Sequence, residues 1–122
     1  MTEYIEPDDV DELVEVEGFT YRERGLLLSA LAAPLPVFGE EVYPGLHQKA
    51  AVLIIAINRD HPLVDGNKRL GWFITVAFFA INGYNLRADD VDDADRCIRL
   101  IAAGGVPLSD VELWLDKHTH PF

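Results

Sequence analysis

The stretch His61-Pro62-Leu63-Val64-Asp65-Gly66-Asn67-Lys68-Arg69 gathers reactive residue types at close spacing. A neutral imidazole at His61 can take a proton from a substrate hydroxyl near neutral pH. Asp65 offers the carboxylate oxygen that Mg²⁺ accepts alongside water and substrate phosphate. Gly66 lets the backbone turn sharply and approach an anion closely. Asn67 can donate its amide or cap a helix. Lys68 and Arg69 add full positive charge. An apolar run from Leu70 to Ile81 follows at once. The loop therefore opens onto a helix whose first N–H groups lack internal partners and whose dipole favours negative charge. Together these parts suit phosphoryl or nucleotidyl transfer, where catalysis is mainly positioning and charge neutralisation.

A plainer reading exists for each part. Asp65-Gly66-Asn67 is also ordinary turn-and-cap chemistry. Lys68 and Arg69 fit that reading poorly, because cations in a first helical turn oppose the helix dipole.

The elements that must position this loop read as helices. Pro7-Asp8-Asp9 opens the first, carrying Val10, Leu13 and Val14 and ending with Glu17 before Gly18. A second is predicted from about Arg22 to Ala32, stopped by Pro34. Val37 to Tyr43 is read as a short hairpin or extended flap. A third helix begins after Pro44-Gly45 and reaches about Arg59, with Leu46, Ala50, Leu53, Ile54 and Ile57 as its apolar stripe. The fourth runs from about Asn67 to Ile81 and stops at Asn82-Gly83. Asp89-Asp90 starts a fifth, with Cys97, Ile98 and Ile101, ended by Gly104-Gly105. Ser109-Asp110 caps a sixth through about Lys117. The expected fold is an all-α orthogonal bundle around one central hydrophobic helix, in a single domain covering 1–122.

The loop and its surroundings resemble the Fic/Doc superfamily. The family signature is a histidine followed by an acidic residue, a small residue, Asn, Gly or Lys, and Arg. Lys68 stands where adenylyl-transferring members carry glycine, and this is similar to the Doc branch, the death-on-curing toxins of bacterial toxin–antitoxin pairs. Arg24-Gly25-Leu26-Leu27 with Ser29-Ala30-Leu31 and Pro34 resembles the family's upstream helix. Phe38-Gly39 through Tyr43-Pro44 resembles its flap, Lys49-Ala50-Ala51 the helix entering the signature, and Asn82-Gly83-Tyr84 the end of the helix after it.

The resemblance implies the Fic fold, with His61 as the catalytic histidine and Asp65 as the metal-binding acid. Gly66, Asn67, Lys68, Arg69 and Arg59 would contact phosphate. It implies ATP and Mg²⁺ as cofactors and transfer of the terminal phosphate to a Ser or Thr hydroxyl of a protein, elongation factor Tu being the best-known type of target. Translation inhibition and neutralisation by a separate Phd-like antitoxin would follow. Phe38 and Val42 would furnish side-chain pockets in a flap that pairs with the target's backbone; an ordinary surface loop is the alternative. Leu63 replaces a common phenylalanine and should still anchor the loop. Trp72 stands where adenylyl-transferring members have a second arginine, which favours phosphate over AMP transfer. AMP transfer and a silent binding module remain alternatives. The family's inhibitory motif, Ser or Thr with Glu four residues later and then Gly or Asn, finds its nearest match at Thr2 to Glu6, where Pro7 spoils it. Inhibition is therefore expected from a second chain.

Composition sets outer bounds. Hydrophobic content of 49% and charged content of 25% are ordinary for a globular domain. The net charge of −11 argues against a direct nucleic-acid substrate. It leaves Arg59, Lys68 and Arg69 conspicuous, and the acidic stretches 3–17 and 89–95 suit either solvated helix faces or a basic partner segment. The one cysteine, Cys97, is read as a core residue in a reducing, bacterial cytoplasmic setting. The longest apolar run falls short of the roughly 20 residues a membrane span needs. Met1-Thr2-Glu3-Tyr4 lacks the basic and apolar regions of a signal peptide. Tyr84 and Arg87 are possible adenine contacts, Trp72, Phe73, Phe78 and Phe79 are expected in the core, and His118-Thr119-His120 is expected to be a frayed tail rather than a metal site.

Overall fold

Helix α1 (Pro7–Glu17) begins on a proline, which suits a first turn, and ends at Gly18 in the left-handed conformation (φ 72°). A computed structural model describes residues 1–122. The elements that follow are α2 (Arg24–Ala32), α3 (Leu46–Asp60), α4 (Asn67–Ile81), β1 (Tyr84–Leu86), α5 (Val91–Ala103), α6 (Leu108–His118) and β2 (Thr119–Pro121). The predicted helices are all present, within a residue or two at most ends.

The centre of the bundle is shared by two helices. Helix α3 packs against α2, α4, α5 and α6 and buries eight of its 15 residues. The apolar α4 buries six of 15, because Trp72, Phe73 and Val76 stay half-exposed along an open groove. Leu27, Ile57, Leu70, Phe78 and Phe79 form the core between the helices. Phe78 and Phe79 thus take the expected core positions; Trp72 packs against the core while walling the groove, and Phe73 lies outside it.

Two sequence expectations fail at the carboxyl end. The helix α6 is capped by Pro107, whose carbonyl accepts from the N–H groups of Asp110 and Val111 at 3.0 and 3.3 Å, so Ser109 is not the cap. The tail is ordered. Thr119–Pro121 pairs antiparallel with Tyr84–Leu86, Leu86 facing Thr119. His118 stacks on Trp114 with ring centroids 3.9 Å apart. Three-residue strands are too short to show an alternating pattern, which is why they were invisible in the sequence. Pro121 is tolerated there because the strand is an edge.

The flap is a minimal turn. Val37 and Glu40 exchange two backbone hydrogen bonds at 2.9 and 3.0 Å, and the residues between, Phe38 and Gly39, both have positive φ (50° and 78°). Such a two-residue turn matches the twist of a hairpin. Phe38 and Val42 are exposed at 102% and 52%. The base of the flap is tied to α3 by Lys49, a fully buried lysine whose ammonium donates to the Glu41 carboxylate and the Tyr43 carbonyl.

Helices α1 and α2 are joined by charge. The Asp11 carboxylate accepts from Arg24 at 2.7 and 2.9 Å and from the Tyr21 hydroxyl at 2.6 Å. Arg24 first, then Tyr21, hold Asp11 at a pKa of about 2. A depressed carboxylate stabilises the fold above its unfolded value near 4 and loses that contribution as pH falls toward the folded value, so this tie persists through the neutral range.

Replacing Lys49 by methionine removes the flap tether while keeping much of the buried volume. Global stability is expected to change by no more than about 2 kcal/mol, while limited proteolysis should cut within 37–43 much faster. Unaltered cleavage would show that the flap holds itself.

Candidate functional site

The loop between α3 and α4 is shaped by two left-handed residues. His61 closes α3 with φ 52° and ψ 61°, a conformation that costs a non-glycine residue about 1–2 kcal/mol. Gly66 opens α4 with φ 89°. Only glycine fits there: a Cβ would lie 2.6 Å from Phe19 Cε1. Leu63, 1% exposed, anchors the loop in the core as expected.

The segment between α1 and α2 clamps this loop. Arg22 Nε donates to the His61 carbonyl and Arg22 Nη2 to the Asp60 carbonyl, both at 2.9 Å. The amides of Arg22 and Glu23 donate to the Pro62 carbonyl at 2.8 and 3.2 Å, and Val64 N–H donates to Thr20 at 2.9 Å. A guanidinium on the last carbonyls of α3 also complements that helix dipole. Arg22, Phe19 and Thr20 were not anticipated, because a contact across some forty residues leaves no local pattern.

Asn67 works inside the loop rather than as its cap. Its Oδ1 accepts from Leu63 N–H at 2.9 Å and its Nδ2 donates to the Leu63 carbonyl at 3.1 Å. That fixes the amide so that Nδ2 faces His61 Nδ1 at 3.4 Å. The contact is long, so it orients the imidazole without locking it. His61 is solvent-exposed.

The mouth of α4 is a cradle of free backbone donors. Leu70 N–H is the first to find a carbonyl, that of Gly66 at 2.9 Å; the amides of Asn67, Lys68 and Arg69 have no acceptor within the chain. Lys68 and Arg69 are exposed beside them. Asp65 is exposed, and one oxygen accepts from Gly66 N–H at 2.9 Å. Its second oxygen has no hydrogen-bond partner within the chain.

Three hollows meet the loop. The largest, about 640 Å³, is an apolar groove between α4 and α5 with Lys68 and Arg69 at one end and Trp72, Phe73, Leu86 and Ile98 among its walls. A second of about 340 Å³ takes His61 and Arg59. A third of about 260 Å³ brings Asp65 and Gly66 together with Glu17 and Phe19. Arg59 is thus apart from Lys68 and Arg69, and its guanidinium pairs with Asp60 at 2.8 Å. Tyr84 and Arg87 do not line the groove; Tyr84 packs on His47 and Phe79, and Arg87 pairs with Asp89 at 3.4 Å. Cys97 is half-buried, and burial foremost, with Asp93 second, pushes its thiol up to about 11, so it is no nucleophile.

Arg69 is partly engaged. It pairs with Glu17 at 3.3 Å and lies over the rings of Phe19 and Phe73 at 5.2 and 5.9 Å. Glu17 was missed as a site residue. Its signal was the Glu17-Gly18 dipeptide, obscured because Leu13 stands four residues earlier in place of Ser or Thr.

Two outcomes follow from this geometry. Gly66→Ala should destabilise by on the order of 2–4 kcal/mol, summing backbone strain and the Phe19 clash; adding Phe19→Ala should relieve only the clash, as thermal denaturation would register. Glu17→Gln should tighten binding of inorganic tripolyphosphate by up to about fivefold, since an exposed pair is worth under about 1 kcal/mol. Calorimetry showing weaker binding would contradict the competition.

A sequence profile described as the Fic/DOC family matches residues 5–79, which include the whole loop. A protein named Toxin Doc from Mycolicibacterium smegmatis is 39% identical over 116 residues, covering 91% of this chain and 89% of that protein. With the profile spanning more than half of the chain and the similarity nearly all of it, the chain belongs to the Fic/DOC family.

Proposed function

We propose that this chain is a Doc-like toxin that transfers the terminal phosphate of ATP to a Ser or Thr hydroxyl of a protein. The observation that carries the reading is the free first turn of α4, three unpaired amides flanked by Lys68 and Arg69, within reach of an imidazole that Asn67 orients. Similarity to Toxin Doc supports the toxin role.

The γ-phosphate would rest on the amides of Asn67, Lys68 and Arg69, with the two cations neutralising its charge. The Asp65 carboxylate is suited to Mg²⁺, which when bound neutralises charge across the phosphates. The nucleoside would lie along the apolar groove beside Trp72 and Phe73. The acceptor oxygen forms its bond to the γ-phosphorus as the bond to the β–γ bridging oxygen breaks. ADP leaves with that electron pair, and the hydroxyl proton passes to the His61 imidazole. Phe38, exposed at the flap tip, would meet the target as it docks. The target type expected is a translation factor of the elongation factor Tu kind, giving translation arrest. The inhibitor would be an antitoxin segment laid over the mouth of the cradle.

Incubating the chain and a cell extract with γ-labelled or α-labelled ATP tests the reading. Phosphotransfer predicts protein label from the first alone; α-label on protein would mean AMP transfer, the runner-up. His61→Ala should cut transfer by roughly 10²- to 10⁴-fold with an unchanged circular dichroism spectrum. Full transfer by that variant would remove His61 from the chemistry.

A further inference from the structure

The second hollow has features that neither the cradle nor the groove uses. It lies between the end of α3 and the turn joining α5 to α6, with Asn58, Arg59 and His61 as polar lining and Ile55, Ile101 and Val106 as apolar lining. We propose that it receives the acceptor residue of the target, the hydroxyl beside His61 and the flanking main chain against the turn at 104–106. This rests on the phosphotransfer reading and adds the place where the acceptor enters.

The first support is a buried polar atom without a partner. Asn58 is 1% exposed. Its Nδ2 donates to the Ile54 carbonyl at 2.9 Å, and its Oδ1 has no hydrogen-bond partner. Leaving a buried acceptor unpaired costs about 1–3 kcal/mol and is uncommon. Gly71 makes room for this amide, since a Cβ there would approach Asn58 Nδ2 to 3.0 Å. Asn58 also lines the hollow, so this half-paired amide stands at its inner wall.

The second support is the rim. Gly104 and Gly105 both have positive φ, and a Cβ on either would meet no heavy atom within 4 Å. The amides of Gly105 and Val106 donate to nothing within the chain. Free main-chain donors on an open turn are what an extended segment pairs with.

The third support is the division of labour between hollows. The cationic groove and this hollow share no lining residue. In-line transfer requires the entering and leaving oxygens on opposite sides of phosphorus. A nucleotide that fills the groove leaves the acceptor to come from elsewhere, and this hollow holds the candidate base. Its mixed lining, apolar at Ile55, Ile101 and Val106 and polar at Asn58 and Arg59, suits a short hydroxyl side chain such as threonine or serine.

Ala102→Trp would fill the hollow from α5, and Asn58→Leu would remove the acceptor at similar volume should tryptophan disturb packing. With the full chain, ATP–Mg²⁺ and a target protein identified by γ-label, each variant is expected to raise the KM for target by about tenfold or more, leaving the Kd for ATP within about twofold. Target KM unchanged in both variants overturns the proposal. So does a matching loss of ATP affinity, which would assign the hollow to the nucleotide. An unsubstituted chain that transfers no label to any protein defeats the phosphotransfer reading and this inference with it.

Discussion

His61 and Gly66 both sit in left-handed backbone, and the segment from Phe19 to Glu23 is what keeps them there. Arg22 takes the carbonyls that α3 would leave orphaned, at Asp60 and His61. The amides of Arg22 and Glu23 take Pro62, and Thr20 takes Val64. Each bond nets only about 1 kcal/mol. Together they exceed the strain at His61 and hold the loop in one conformation. The clamp depends in turn on α1 and α2, which the Asp11–Arg24–Tyr21 cluster joins. The path from an acidic surface helix to the His61 backbone therefore runs through one hydrogen-bonded cluster and one short segment of chain.

Electrostatics sharpen the same site. In a chain of net charge −11, several cations are matched to a neighbouring carboxylate: Arg24 to Asp11, Arg59 to Asp60, Arg96 to Asp93, Arg99 to Asp95. Lys68 has no such partner among the ion pairs, and Arg69 has one at 3.3 Å that is well exposed to solvent. These two cations thus flank the turn where the α4 amides are free. An acidic surround disfavours long polyanions such as nucleic acid.

The sequence carried the local features well. Proline and glycine punctuation placed the six helices, and the segment from His61 to Arg69 was legible as the loop that opens α4. Asp90 was legible as a cap and accepts from Asp92 and Asp93 as expected. The failures are non-local. The β1–β2 pair joins segments more than thirty residues apart. Arg22, Phe19 and Glu17 reach the loop across similar distances, and Asn58 is recognised only once its neighbours show that nothing meets its Oδ1. The phosphate role expected of Arg59 came from the family resemblance, and the fold turns it toward a different hollow from Lys68 and Arg69.

Trp72 bears on which end of a nucleotide the cradle prefers. It lies one turn beyond Lys68, on the face that walls the groove, and meets Trp114 edge-on at 6.2 Å. Cationic charge on α4 is therefore confined to its first turn, and the rest of the groove face is aromatic and aliphatic. A triphosphate carries more charge on its terminal phosphate than on either of the other two, and a nucleobase offers a flat π-face. Seating the γ-phosphate at the amides matches charge to charge and base to aromatic wall. Seating the α-phosphate there would send the β- and γ-phosphates away from every cation of that turn, with no second arginine to receive them. For the proposed phosphotransfer, Trp72 would leave the reverse orientation without a counter-charge.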